Sequence, residues 1–183
     1  MRHRSRSWVR RRLRSLAWLE LFNVPLQAVI WFGVLGLPVT AANLTGFTMF
    51  AVLLVVGAGY WLAKLRQVSG PGASLPGARV FAVARIAIAP LLAVGVLSTI
   101  GWVVAAPGAG SWPGLGFALF AVLEYVNYFH VQLMYDTVED VRYLRSHGLR
   151  RAHLARDLTV RHRSRQRGRE TAFDTAAETS IHR

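Results

Sequence analysis

The chain has 183 residues, 53% of them apolar, with a positive mean hydropathy and yet a formal charge of +13. That combination excludes an ordinary soluble domain and a disordered polyelectrolyte alike, unless apolar and basic residues are segregated along the chain. The absence of cysteine excludes disulfides, thiolate metal sites and thiol nucleophiles.

Segregation is what the sequence shows. Of 22 Lys and Arg, seven lie in Arg2–Arg14, three in Lys64–Arg79 and eleven from Arg142 onward, with Arg85 alone inside an apolar run. Residues 1–15 read as a basic cytoplasmic arm. A nucleic-acid arm or a twin-arginine signal would be sharper readings, but the flank of a first membrane helix explains the same arginines through the positive-inside rule.

The first apolar run predicts a helix over about 16–37. It closes on Val39-Thr40-Ala41-Ala42, a small-residue stretch resembling a signal-peptidase site. Glu20, Asn23, Pro25 and Gln27 break up the apolar core that a signal peptide needs, so an uncleaved helix is the better expectation. The second run, about 44–63, carries Thr45, Thr48, Gly57 and Gly59, small enough to admit a neighbouring helix closely. Its Tyr60-Trp61 precede Lys64 and Arg66, the order of a cytoplasmic membrane boundary. A breaker-rich loop, Ser69–Gly77, leads to a third run over about 80–106, with Arg85 and Pro90 inside it. After the uncharged Pro107–Gly114 comes the fourth run, about 115–136.

Each run approaches or exceeds the roughly 20 residues that cross a hydrocarbon core. Four crossings place both basic tails and the basic middle loop on one side and two uncharged loops on the other. The expected fold is therefore all-α. It is a polytopic integral membrane protein with four transmembrane helices in an antiparallel bundle over residues 16–136. A cytoplasmic helical basic C-terminal extension follows over 137–160, broken at His147-Gly148, and then a basic tail over 161–183 without a fold of its own. Both termini are expected in the cytoplasm of a bacterial cell, with the bundle in its inner membrane. The tails are expected to contact anionic lipid headgroups, at roughly 1 kcal/mol per basic residue near the surface. No aromatic interleaving or recognisable module argues for nucleic acid.

The most informative stretch is Leu123–Leu133, which sets Glu124, Asn127, Tyr128, His130 and Gln132 inside the fourth run. Ten Leu, Phe and Val between Leu115 and Tyr135 supply roughly −3 to −6 kcal/mol of insertion free energy. One ionised carboxylate costs about 3 kcal/mol, and the amides and imidazole add more. The sum lies near zero, so this helix requires protein neighbours. At 100° per residue Glu124, Asn127, Tyr128, Val131 and Tyr135 share a stripe with Gln132 beside it, while His130 points elsewhere.

Depth along the helix axis gathers more groups. Glu20, Asn23 and Gln27 fall within about the first 10–15 Å from the cytoplasmic face, Gln132 to Glu124 at roughly 6–18 Å, and Arg85 at ~9 Å. A cytoplasm-side polar layer of Glu20, Asn23, Gln27, Arg85, Glu124, Asn127, Tyr128 and Gln132 is thus expected. Read structurally, it is an interhelical clasp worth ~0.6 kcal/mol per contact. Read functionally, it lines a cavity with Arg85 as an anion anchor and Glu124 as an acid or proton carrier.

Below that layer Asp136, Glu139 and Asp140 have the i, i+3, i+4 spacing that can hold Mg²⁺ beside a phosphate. They are weak metal candidates, because Arg142 and Tyr143 offer ordinary same-helix partners and there is no second carboxylate-rich motif. His147, His153 and Asp157 read as exposed residues of a basic helix. No metal or cofactor is expected.

The leading functional expectation is non-enzymatic: a small polytopic protein that assembles with copies of itself or with a membrane partner protein. A transporter or channel component using Arg85 and Glu124 comes second, and a membrane-embedded lipid-modifying enzyme using Glu124, Asn127 and His130 comes third.

Overall fold

A computed structural model describes residues 6–70, 75–133, 142, 145–146 and 149–158. Among these the chain is helical and contains no strand, only an isolated bridge between Val131 and Arg151. Helix α1 covers Arg6–Ala28 and continues as a π-helical segment, Val29–Val34. Helices α2 (Ala41–Ser69), α3 (Ala78–Ala105) and α4 (Trp112–Phe129) follow, and a short α5 occupies 153–158.

The ends of these helices have local causes. Pro25 lacks the N–H that would continue the ladder in α1, and the helix widens into the π segment just beyond it. Gly36, at φ 63°, then turns the chain out, and the Leu37 amide bonds back to the Trp31 carbonyl at 2.9 Å. Thr40 caps α2, its hydroxyl accepting from the Asn43 amide at 3.2 Å. Gly77, at φ 70°, opens α3. The fourth run was expected to stay helical to about Tyr135, but α4 stops at Phe129. The Asn127 side chain takes the Leu133 amide at 2.8 Å, and the strand-like Val131–Arg151 bridge competes for the backbone.

Three helices are long and apolar enough to cross a membrane: Arg6–Val34, Ala41–Ser69 and Ala78–Ala105. Their outer surfaces are apolar too. Trp18, Phe22, Val83, Ile86, Leu97 and Val104 are all more than 60% exposed, a surface that suits lipid and not water. The protein is membrane-embedded by this criterion. At 18 residues, with Glu124 and Asn127 inside it, α4 falls short of the same measure.

Helix α2 is central, touching α1, α3 and α4, and α4 also meets α3. The Arg10 guanidinium reaches the Ser69 carbonyl, and Phe32 meets Phe47, so the start of α1 lies by the end of α2. Gly46 lies against Gly114 and Gly57 beneath Tyr128. The close approach is strict: a Cβ on Gly46 would lie 1.9 Å from the Gly114 carbonyl oxygen, and one on Gly114 would lie 2.3 Å from that of Ala42. Between these two contacts Phe47, Phe50, Phe117 and Trp31 form an aromatic layer, with Phe47–Phe117 and Trp31–Phe117 edge-to-face at 5.4 Å.

The uncharged end is tied by Asn43, which is fully buried. Its Nδ2 donates to the Pro38 carbonyl at 2.9 Å and the Ala109 carbonyl at 3.0 Å, while its Oδ1 accepts from the Gly114 amide at 2.8 Å. Thr40 Oγ1 donates to the Gly110 carbonyl beside it. Asn43→Ala leaves those three backbone groups unpaired and is expected to destabilise the bundle by roughly 1–3 kcal/mol. Thermal unfolding in mild detergent reads this directly; a shift no larger than that of an exposed-face variant such as Val104→Ala would mean the knot contributes nothing.

Candidate polar site

Three of the expected layer residues meet around one hydroxyl. Tyr128, 5% exposed, lies over Gly57 of α2, where any side chain would collide with its phenol. From there its Oη donates to Glu20 Oε1 of α1 at 2.5 Å, with Glu124 one turn back on α4. With Gly57 giving Tyr128 its room, α1, α2 and α4 all contribute. Glu124 is held by Asn127, and its Oε2 is buried with no hydrogen-bond partner.

The rest of the expected layer is distributed differently. Asn23 and Gln27 continue up α1 as a ladder: Gln27 Nε2 donates to Asn23 Oδ1 at 3.3 Å, and Trp31 Nε1 donates to Gln27 Oε1 at 2.9 Å. Arg85 was expected opposite Glu124, yet it pairs with neither Glu20 nor Glu124. Among the described residues its contact is through the backbone, whose carbonyl accepts from Tyr125 Oη at 2.8 Å. Gln132 lies past the end of α4, and its amide bonds to the Arg150 carbonyl at 2.9 Å. His130 is exposed, its ring 5.4 Å from that of Tyr125, away from Glu124 as its helical angle requires.

Asp136, Glu139, Asp140 and His147, together with the basic run Arg161–Arg169, lie outside the described residues. Among the described residues no group of three His, Asp or Glu is placed to hold a metal ion.

Sequence reasoning missed a second cluster at the charged end. Asp157 was read as an exposed residue of a basic helix; instead it docks α5 onto α2. Lys64 Nζ meets its two carboxylate oxygens at 2.9 and 2.8 Å, and Tyr60 Oη donates to Oδ2 at 3.0 Å. Leu154 and Ala152 are each 1% exposed beneath it. The Val131–Arg151 bridge completes the docking through the Ala152 amide and the His130 carbonyl at 3.1 Å. The available signal was the pairing of Lys64 with Asp157, the sole acid of Leu149–Val160, but a separation of 93 residues hides it from any local pattern.

On the same segment His153 accepts from Arg156 Nη2 at its Nδ1, 2.7 Å away. One edge of His153 faces solvent while the ring is crowded by protein. That crowding, then Arg156, Arg150 and Lys64, hold its pKa below the ordinary value of 6.5, with Asp157 opposing. Comparison of the chain with protein-family models, curated proteins and solved structures gives no match.

Because the folded state lowers the His153 pKa, docking takes up fewer protons than the undocked chain. Its stabilisation is complete above the ordinary value of 6.5 and is lost as pH falls from there through the lowered value of the docked state. A cysteine placed at Leu154 would be the only thiol in the chain. Its labelling rate, divided at each pH by that of the same thiol in the denaturant-unfolded chain to remove the change in thiolate fraction, is expected to rise from pH 7.5 to 5.5, and His153→Gln to flatten the rise. A ratio independent of pH with His153 present would show that the docking does not sense this proton.

Proposed function

We propose that the chain is a four-pass antiparallel bundle of a bacterial inner membrane, with both termini cytoplasmic. In this reading it serves as an assembly component that joins copies of itself or another membrane protein. The four-pass topology is supported by the order of helix contacts and by the two uncharged connections at one end against Arg10, Lys64 and Arg150 at the other. α4 is then a span that its neighbours make tolerable, through Tyr128 on Gly57 and Gly114 on Gly46.

The observation that carries the non-enzymatic reading is the Glu20–Tyr128–Glu124 contact itself. Glu20 of α1 and Tyr128 of α4 turn onto one another over Gly57 of α2, and the cation that an anion pathway would need does not join them among the described contacts. Such a clasp fixes the rotation of α1 and α4 about α2, which any partner-facing surface requires. A shared surface of this kind fits a homo-oligomer or a membrane partner protein.

One observation favours a second reading. A phenol has one proton to donate, and Tyr128 directs it to Glu20, while Glu124 Oε2, one turn back on α4, is buried with no hydrogen-bond partner. The unpartnered Glu124 Oε2 would then be one end of a proton-carrying group, with the Asn23–Gln27–Trp31 ladder leading away from Glu20.

Two variants separate the readings. On the clasp reading Tyr128→Phe weakens the bundle and its assembly, by roughly 1–3 kcal/mol, whereas Glu124→Gln assembles as the wild type does. Both are read by native mass spectrometry of the complex extracted from membrane and by thermal unfolding. Proton flux into dye-loaded vesicles that is present in the wild type and lost in Glu124→Gln would replace assembly with transport as the function.

A further inference from the structure

We propose that the face of the bundle opposite α4 holds an anionic phospholipid, its phosphate bound by Arg10, Arg14 and Arg66 and an acyl chain lying along α2. The proposal rests on the membrane placement of the bundle and is independent of what the bundle assembles with.

Helical spacing puts these three arginines on one face. Arg10, Arg14 and Trp18 follow one another at i, i+4 and i+8 on α1, and all three are exposed. Glu20, two residues past Trp18, turns the other way, to Tyr128 of α4. On α2, Gly57 lies beneath Tyr128 and Lys64 meets Asp157 of the docked segment. Arg66 is exposed and lies about 200° round the helix from Lys64, so it points away from both. The two lines meet where Arg10 Nη2 donates to the Ser69 carbonyl at 3.5 Å, one turn past Arg66. That bond takes one of the guanidinium donors and leaves the others for a ligand. The described acids lie elsewhere: Glu20 at Tyr128, Asp157 on Lys64 and Tyr60, and Glu124 on α4. Guanidinium groups brought together from two helices suit the planar, multidentate recognition that a phosphate offers.

The apolar side chains next to these arginines identify the source of the phosphate. One turn deeper into the bundle each line becomes apolar: Trp18, 64% exposed, follows Arg14, and Leu62, 40% exposed, precedes Arg66. Beyond Leu62 the same stripe of α2 runs on through Gly59 and the exposed Val55 to Leu44. It is bordered by α1, which meets α2 through Phe32 and Phe47, and by α3, whose Gly95 lies against Met49. The track is shallowest in side chain at Gly59, where an added Cβ would meet the Phe81 ring at 4.0 Å. Cations, then an aromatic and an aliphatic side chain, then a long apolar track is the order of a phospholipid from headgroup to chain. A free anion or a nucleic acid would engage the arginines and leave Trp18 and Leu62 in water. A second copy docked here in the same orientation would set arginine against arginine, so the charges favour the lipid.

The test uses the full chain in nonionic detergent, with native mass spectrometry counting retained phosphatidylglycerol against phosphatidylcholine. Inorganic phosphate or a short RNA is added as competitor at matched phosphate. Phosphatidylglycerol is expected to be retained in preference to phosphatidylcholine. An Arg10→Gln/Arg14→Gln/Arg66→Gln variant is expected to lower that retention by about tenfold or more. An Arg79→Gln/Arg142→Gln/Arg145→Gln variant, which removes the same charge from three other exposed positions, is expected to keep it. Gly59→Phe fills the track without changing charge and is expected to lower retention several-fold. Equal retention of the two lipids, equal loss in the two arginine variants, full retention in Gly59→Phe, or displacement by inorganic phosphate or RNA would overturn the proposal. The thermal midpoint without added lipid reports whether a variant has lost its fold, and Arg66→Gln alone, at one exposed side chain, carries the test if the triple variant has. The same spectra count copies per complex. A failed lipid site is therefore distinguishable from a failure to assemble.

Discussion

The contact on which the structure depends is the approach of α4 to α2 at three glycines. At Gly46 and Gly114 backbone touches backbone, and at Gly57 a phenol fills the space a side chain would need. In lipid there is little hydrophobic gain from bringing two apolar helices together, so association relies on close van der Waals contact and on hydrogen bonds. Glycine permits both here. It lets the helices come near enough for Asn43 to reach the Gly114 amide at one end, and for Tyr128 to pass over α2 to Glu20 at the other.

The two ends of the bundle solve the same problem with different chemistry. At the uncharged end all the partners are neutral: an amide, a hydroxyl and backbone groups, gathered around the buried Asn43. Neutral hydrogen bonds need no counter-ion and do not respond to pH, which suits a fixed joint. At the charged end the joints are a carboxylate on an ammonium, a carboxyl on a phenol, and an imidazole among arginines. Each of these depends on a proton or on ionic surroundings. The molecule is thus stiff at one end and responsive at the other.

Much of this was legible in the residues. The apolar runs at about 16–37, 44–63 and 80–106 correspond to the three helices that can cross a membrane, although each helix extends beyond the run at its charged end. Helical geometry continues through Trp8–Leu13 and Lys64–Gln67 because arginine, lysine and glutamine are good helix formers, and hydropathy does not register them. Glu20, Glu124 and Tyr128 were placed in one layer by depth alone, and they meet. Arg85 was placed there by the same argument and does not, because depth fixes height along the axis and not which neighbour a residue faces. Asn43 was invisible for a related reason: it sat in an uncharged connection, and its three partners come from two loops and the first turn of α4, which only the fold brings together.

The end of α4 shows how a stretch can look like a site and act first as architecture. In Leu123–Leu133 the density of polar groups invites a catalytic reading, yet each group whose contact is described directs the path of the chain. Tyr125 holds α3 through the Arg85 carbonyl, Tyr128 holds α1, and Asn127 takes the Leu133 amide as the helix stops. The His130 carbonyl and the Gln132 amide then receive the returning segment at Ala152 and Arg150. A helix ending inside or near the membrane leaves carbonyls and amides that water cannot reach, and they must be satisfied by protein. The polar residues needed to end α4 there are the same types a site would use. One oxygen of Glu124, buried in the layer, serves no such purpose. If this layer does chemistry as well as holding the bundle together, that oxygen is where the second role begins.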